Sequence, residues 1–228
     1  MLVIADNVQA NHGAIQKAVQ RGDPGPVQSL ARRIEAAGAR MLDISVGPPG
    51  RDGARKMAFL VEAIQSVTDL PVLIDAADAD VMAAGLQANR KTAVLNGFSL
   101  EPRRLEAILP LAVRHDTDII GYLIDERSQP PASLEDRLRI AVELEQAAQS
   151  AGLRDESLII DPFIAPLIWE DGHRRNATLL EVVRRLPEAL DRPVRTVVGP
   201  PTALMRAVPK GGATRTAYLP PAPGTNFS

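Results

Sequence analysis

The chain contains no cysteine, which excludes a disulfide scaffold, a thiolate zinc site, a protein-ligated iron–sulfur cluster and a cysteine nucleophile. It also lacks charge of one sign: 26 basic side chains against 28 acidic ones leave no field that would draw nucleic acid or an anionic membrane. No run approaches the ~18 apolar residues of a membrane span. The opening MLVIADNVQANHG has a short apolar run and no basic region before it, so it reads as neither signal peptide nor anchor. A cytoplasmic protein is expected, with neither nucleic acid nor membrane as partner. The three histidines, His12, His115 and His173, lie far apart, without metal-ligand spacing, and read as surface or loop residues. No metal site is expected. Aromatic residues are scarce, at 3%. What remains is an apolar fraction of 45%, too high for a disordered chain with a net charge of -2. At 228 residues the chain fits one large domain or two small ones, at roughly 100–200 residues each.

Short apolar runs stand at residues 2–4, 41–46, 71–74, 92–95, 118–124, 158–160 and 194–198. They are rich in Val, Ile and Leu and suit strands of a parallel sheet buried on both faces. Segments of helical period lie between them. Val27, Leu30, Ala31, Ile34 and Ala37 share one face, and Gly38 follows as a C-cap. Ser133 is placed to cap a helix carrying Leu134, Leu138, Ala141, Val142 and Leu144, with Asp136 completing a capping-box-like pattern. Leu179, Val182, Val183 and Leu186 mark a late helix before Pro187. Seven strand–helix repeats argue for an α/β fold. A Rossmann sheet would show a Gly-x-Gly-x-x-Gly turn after its first strand, and Asp6-Asn7-Val8-Gln9-Ala10-Asn11 stands there instead. A (β/α)8 TIM-type barrel gathers polar residues at the C-terminal ends of its strands, and that is the pattern seen.

Asp6 and Asn7 follow the first apolar run; Asp43 and Ser45 lie on the second; Asp75 ends the third and Asn96 the fourth. The fifth runs into Asp125, the sixth ends in Asp161-Pro162, and the seventh in Gly199, before Pro200, Pro201 and Thr202. In a closed barrel these residues meet at one mouth. The ring is carboxylate and carboxamide, without His, Cys or Lys. Asp accepts paired N–H donors, and Asn both donates and accepts. Such a set satisfies a flat heterocycle with an amidine-like edge, such as a pterin. Two other uses compete. Carboxylates alone bind Mg²⁺, and Asp at a strand end caps the next helix. Capping is the preferred reading for Asp78, Asp80, Asp155 and Asp191. Pro162 disfavours α geometry at Asp161 and so keeps that side chain at the strand end.

The stretches 38–48 (GARMLDISVGP), 73–75 (LID), 94–96 (VLN), 158–162 (LIIDP) and 196–199 (TVVG) resemble, in order and spacing, the methyltetrahydrofolate:corrinoid methyltransferases. These belong to the pterin-binding superfamily that includes dihydropteroate synthase and the folate domain of methionine synthase. The resemblance covers roughly residues 1–200. It implies a (β/α)8 barrel, with tetrahydrofolate or methyltetrahydrofolate as substrate and a corrinoid carried by a partner protein. It further implies that Asp75, Asn96 and Asp161 hydrogen-bond the pterin, and that Asp43, Ser45 and Gly199 line or support the pocket. Relatives place an Asn after strand 7 to stabilise charge developing on N5. Here the turn reads Gly199-Pro200-Pro201-Thr202, so the resemblance gives Thr202 that catalytic place, and Asn96 is the other residue expected to be catalytic.

Two alternatives come with the resemblance. A dihydropteroate synthase-like enzyme needs cations for pyrophosphate, and relatives carry Ser-Arg-Lys after strand 7, where Pro201-Thr202-Ala203 stands. A non-catalytic pterin-binding remnant, or a subunit completed by a partner, is the other. The strand pattern stops after Thr202. Residues 1–208 therefore read as the barrel domain and 209–228 (PKGGATRTAYLPPAPGTNFS) as a Pro/Gly-rich flexible tail. The chain reads as a C-terminally truncated barrel of seven recognisable strands, short of the ~250 residues of a whole one. The unpaired edges of strands 1 and 7 favour a homodimer.

Overall fold

The computed structural model describes residues 2–11, 13–48, 50–166, 169–199 and 215–219, the last as backbone alone. They fall into two compact units, residues 3–96 with 215, and residues 97–199 with 2 and 216–219.

In the first unit the order is β1 (Leu2–Gln9), α1 (Gly13–Arg21), α2 (Gly25–Ala36), β2 (Met41–Ser45), α3 (Gly53–Gln65), β3 (Val72–Asp75), α4 (Ala79–Ala88) and the start of β4 (Ala93–Phe98). β1 to β4 pair side by side, all parallel. The apolar runs lie where expected because each is covered on both faces: Leu42, Ile44, Val72, Ile74 and Leu95 have no exposed surface. The α2 stripe buries Val27, Ala31 and Ile34, and Gly38 follows at φ +89°, a left-handed position that favours glycine. Asp78 caps α4, its carboxylate accepting from the Asp80 N–H at 2.9 Å.

In the second unit α5 (Pro102–Arg114), β5 (Asp118–Tyr122), α6 (Leu134–Ser150), β6 (Leu158–Asp161), α7 (Gly172–Ala177), α8 (Leu179–Ala189) and β7 (Arg195–Val198) follow. β5, β6 and β7 are parallel neighbours. The Ser133 hydroxyl caps α6 as expected. It accepts from the Asp136 N–H at 3.1 Å and donates to the Asp136 carboxylate at 2.7 Å. Among the described residues these seven strands, in two parallel runs alternating with helices, give the α/β order of a TIM-type barrel.

Three expectations change. The first strand does not stop before Asp6 but runs on to Gln9, and its register shifts between Ala5 and Val8, so Asp6 and Asn7 sit in a bulge. α8 does not stop before Pro187 but continues to Ala189; it loses one backbone donor at the proline while Val182 and Leu186 stay buried. Within the stretch read as tail, β8 (Arg215–Leu219) pairs antiparallel with β7, Val197 opposite Tyr218, so that edge of β7 is occupied.

Candidate functional site

The register of the first unit decides which polar residues become neighbours. Gln9 pairs with Ser45, Ser45 with Asp75, and Asp75 with Asn96. Paired residues of parallel strands face the same way at about 4.8 Å spacing. One row across four strand ends therefore carries amide, hydroxyl, carboxylate and amide. Asp43 lies two residues before Ser45, on the same face and one layer deeper. It is buried, with 7% exposure. Burial first, then the charges of Asp75 and Asp6, hold its carboxyl well above the usual range, which favours the protonated form. Among the described residues its buried Oδ1 has no hydrogen-bond partner, and neither has the buried Oδ1 of Asn7 in the bulge. Asp6 accepts from the Gln9 amide at 3.1 Å. The bulge thus brings Asp6 and Asn7 to the row instead of leaving them beyond it. Two orphaned acceptor oxygens beside a carboxylate–amide row fit a ligand that presents several N–H donors.

In the second unit β6 delivers Asp161, with Tyr122 of β5 beside it in register. Burial raises the Asp161 carboxyl to about 6, against the opposing pull of the Phe163 N–H and the Arg137 charge. Asp161 Oδ1 accepts from Phe163 N at 2.8 Å, and Phe163 has φ +58°. A bulky residue there is strained by roughly 1–2 kcal/mol, so its neighbours must hold it. Arg137 of α6 does part of this. It has no exposed surface. Its guanidinium donates to the carbonyls of Pro162 at 2.6 Å, Pro131 at 2.9 Å, Arg175 at 2.9 Å and Phe163 at 3.4 Å. Asn176 fixes the same turn further on, accepting from the Ala165 N–H and donating to the Ala165 carbonyl, both at 2.8 Å.

The structure therefore brings Ser45, Asp75 and Asn96 together, with Asp43 beneath, and places Asp161 at the end of β6 in the other unit. Gly199 follows β7, half-buried. Thr202 lies outside the described residues. The sequence reading missed Gln9, Tyr122, Arg137 and Asn176. Arg137 carried a signal: it occupies the α6 stripe with Ile140, Ala141 and Leu144, where an apolar residue belongs. Among the described residues no cluster of three or more His, Cys, Asp or Glu could hold a metal ion. No helix among them is long and apolar enough to cross a membrane.

The sequence profile of the pterin binding enzymes matches residues 15–201. Methionine synthase of Mycobacterium tuberculosis (strain ATCC 25618 / H37Rv) is 25% identical over 195 residues, 82% of this chain and 16% of that protein. Methylcorrinoid:tetrahydrofolate methyltransferase of Eubacterium limosum is 20% identical over 173 residues, 75% of this chain and 64% of that protein. The chain thus spans less than two thirds of the length of either relative. Among solved structures, the 7,8-dihydropteroate synthase of Vibrio fischeri ES114 superposes with a TM-score of 0.67 at 18% identity, covering 90% of this chain and 76% of that one.

Proposed function

The chain belongs to the pterin binding enzyme family, and from that premise we propose that it is a methyltransferase that binds methyltetrahydrofolate at its strand ends. It moves the N5 methyl group to or from the cobalt of a corrinoid carried by a partner protein. The observation that carries this reading is the row Ser45, Asp75, Asn96 over Asp43, whose buried Oδ1 has no partner of its own. A pterin edge offers N–H donors to carboxylates and both a donor and an acceptor to an asparagine. In this reading Asp75 and Asn96 take part of the ring, with Asp43 and Ser45 supporting them from below, and Asp161 and Gly199 of the other unit keep the pterin-binding roles that the family resemblance gives them. Similarity to a methylcorrinoid:tetrahydrofolate methyltransferase and to methionine synthases supports the methyl-transfer chemistry.

In the forward direction the N5–methyl bond breaks, the methyl group joins Co(I), and the electron pair stays on N5, which takes up a proton. Nitrogen is a poor leaving group unless a proton or hydrogen bond arrives as charge develops. Thr202 and Asn96 are the residues we assign to that contact. The test is a calorimetric titration with methyltetrahydrofolate. Saturable binding is expected, weakened about 10–100-fold by Asp75→Ala and by Asn96→Ala, the range set by losing a hydrogen bond to a charged group. Wild-type affinity in both variants would remove the pterin from this row.

A further inference from the structure

We infer that Arg137 is a positioning residue for the strand-6 carboxylate: its buried guanidinium fixes the turn from which Asp161 is presented and sets a permanent positive charge behind it. The inference rests on the pterin reading of Asp161 and extends it to a residue that touches no ligand itself.

Arg137 stands in the apolar stripe of α6, and burying a charge there is unfavourable unless the guanidinium is fully hydrogen-bonded. Methionine or leucine would fill the volume. What arginine adds is a planar fork of five donors and a fixed charge. The fork reaches four carbonyls on three segments: Pro131 before α6, Pro162 and Phe163 after β6, and Arg175 on α7. Two of the four belong to the residues that follow Asp161 directly. Pro162 has no N–H, and Phe163 holds a left-handed backbone while donating its own N–H to Asp161. Arg137 therefore secures the carbonyl side of a turn whose amide side is secured by the carboxylate. The Arg175 guanidinium is itself engaged by Asp171, which accepts from its Nε at 2.8 Å, by the Pro130 carbonyl, and by the Trp169 ring at 5.9 Å, and its charge opposes that of Arg137.

Charge completes the argument. Among the described residues Arg137 is salt-bridged to no carboxylate, and it acts on Asp161 through the intervening turn. The other groups around Asp161 are few. Tyr122 lies beside it on β5, and Arg175 stands on α7 with Asp171. The arginine of β7, Arg195, is bonded to Asp118 and the Glu156 carbonyl, and Asp125 closes its own turn by accepting from the Arg127 and Gln129 N–H groups. Arg137 is thus the cation that favours an ionised Asp161, the form that accepts a pterin's N–H groups.

The test compares Arg137→Gln, Arg137→Lys and Asn176→Ala. Asp161 is titrated in the ligand-free protein by ¹³C-carboxyl NMR, with Asp161→Asn for assignment, and methyltetrahydrofolate affinity is measured across the same pH range. Arg137→Gln removes the charge: the Asp161 midpoint should rise above the wild-type value of about 6, and the pH below which binding fails should rise with it. Arg137→Lys keeps the charge but not the fork: affinity should fall about tenfold with the midpoint unmoved. Asn176→Ala, uncharged and on the same turn, should weaken binding without moving the midpoint. An unmoved midpoint in Arg137→Gln overturns the inference. If that variant does not fold, wild-type affinity in Arg137→Lys overturns it as well. A wild-type protein that titrates as described but binds no pterin removes the pterin reading and leaves the placement of Arg137 intact.

Discussion

The Asp161 carboxyl is placed at a thermodynamic cost to the free protein. Its pKa is raised from the ordinary 3.8 to about 6, so the native state binds more protons than the unfolded chain between those values. Stability attributable to this group therefore falls as pH rises from about 4 through 6, and levels off above. Asp161→Asn removes the penalty while keeping an oxygen to accept the Phe163 N–H. The variant should equal wild type near pH 4 and exceed it by roughly 1–3 kcal/mol at pH 7 in urea unfolding, while binding pterin far more weakly. A difference between variant and wild type that does not change across this range would show that Asp161 is not a strained carboxylate. Asp43 shares the same direction, from burial, Asp75 and Asp6. The sequence marked both aspartates by position, Asp161 at the end of the sixth apolar run and Asp43 within the second. It did not mark their unequal surroundings, since burial and neighbouring charge depend on residues tens of positions away.

At the scale of elements, the strands were legible because an apolar run covered on both faces leaves a local pattern. The bulge in β1 was not, because a bulge is a mismatch against β2 and has no period of its own. Proline misled at α8: the burial of Val182 and Leu186 on one face outweighs one lost backbone donor there. Gly97 follows Asn96 within β4. A Cβ there would stand 2.2 Å from the carbonyl oxygen of Ile120, so glycine is what lets β4 and β5 backbones approach. Gly97→Ala should destabilise the protein by about 3 kcal/mol, the upper end of the overpacking range, because a backbone atom cannot swing aside as a side chain can. The check is the thermal midpoint; an unchanged value would mean the two strands are not this close. Arg137 is the opposite case, a visible breach of the α6 stripe whose purpose depends on a turn 25 residues further on.

For the whole molecule, membership of the pterin binding enzymes narrows the chemistry without choosing the reaction, because the same fold serves methyl transfer and dihydropteroate synthesis. The two differ in what they must bind besides the pterin. Mixing the protein with methyltetrahydrofolate and Co(I) corrinoid should give methylcobalt above background, followed by absorbance. Supplying a pterin pyrophosphate and p-aminobenzoate should release no pyrophosphate. The reverse pair of outcomes would reassign the enzyme to dihydropteroate synthesis, and methylcobalt at the background rate despite tight pterin binding would make it a binding protein. The cysteine-free composition that excludes a protein-ligated iron–sulfur cluster also means that this polypeptide offers cobalt no thiolate. By itself the sequence determined the strand–helix order, the family and the aspartates and asparagine at the strand ends, because these follow from local hydrophobic period and short motifs. Only the tertiary structure decided that Ser45, Asp75 and Asn96 share one row, that Asn7 and Asp43 keep unpartnered oxygens beside it, and that a buried arginine stands behind Asp161. Register, burial and electrostatic fields are properties of residues brought together by folding, and no stretch of the chain contains them alone.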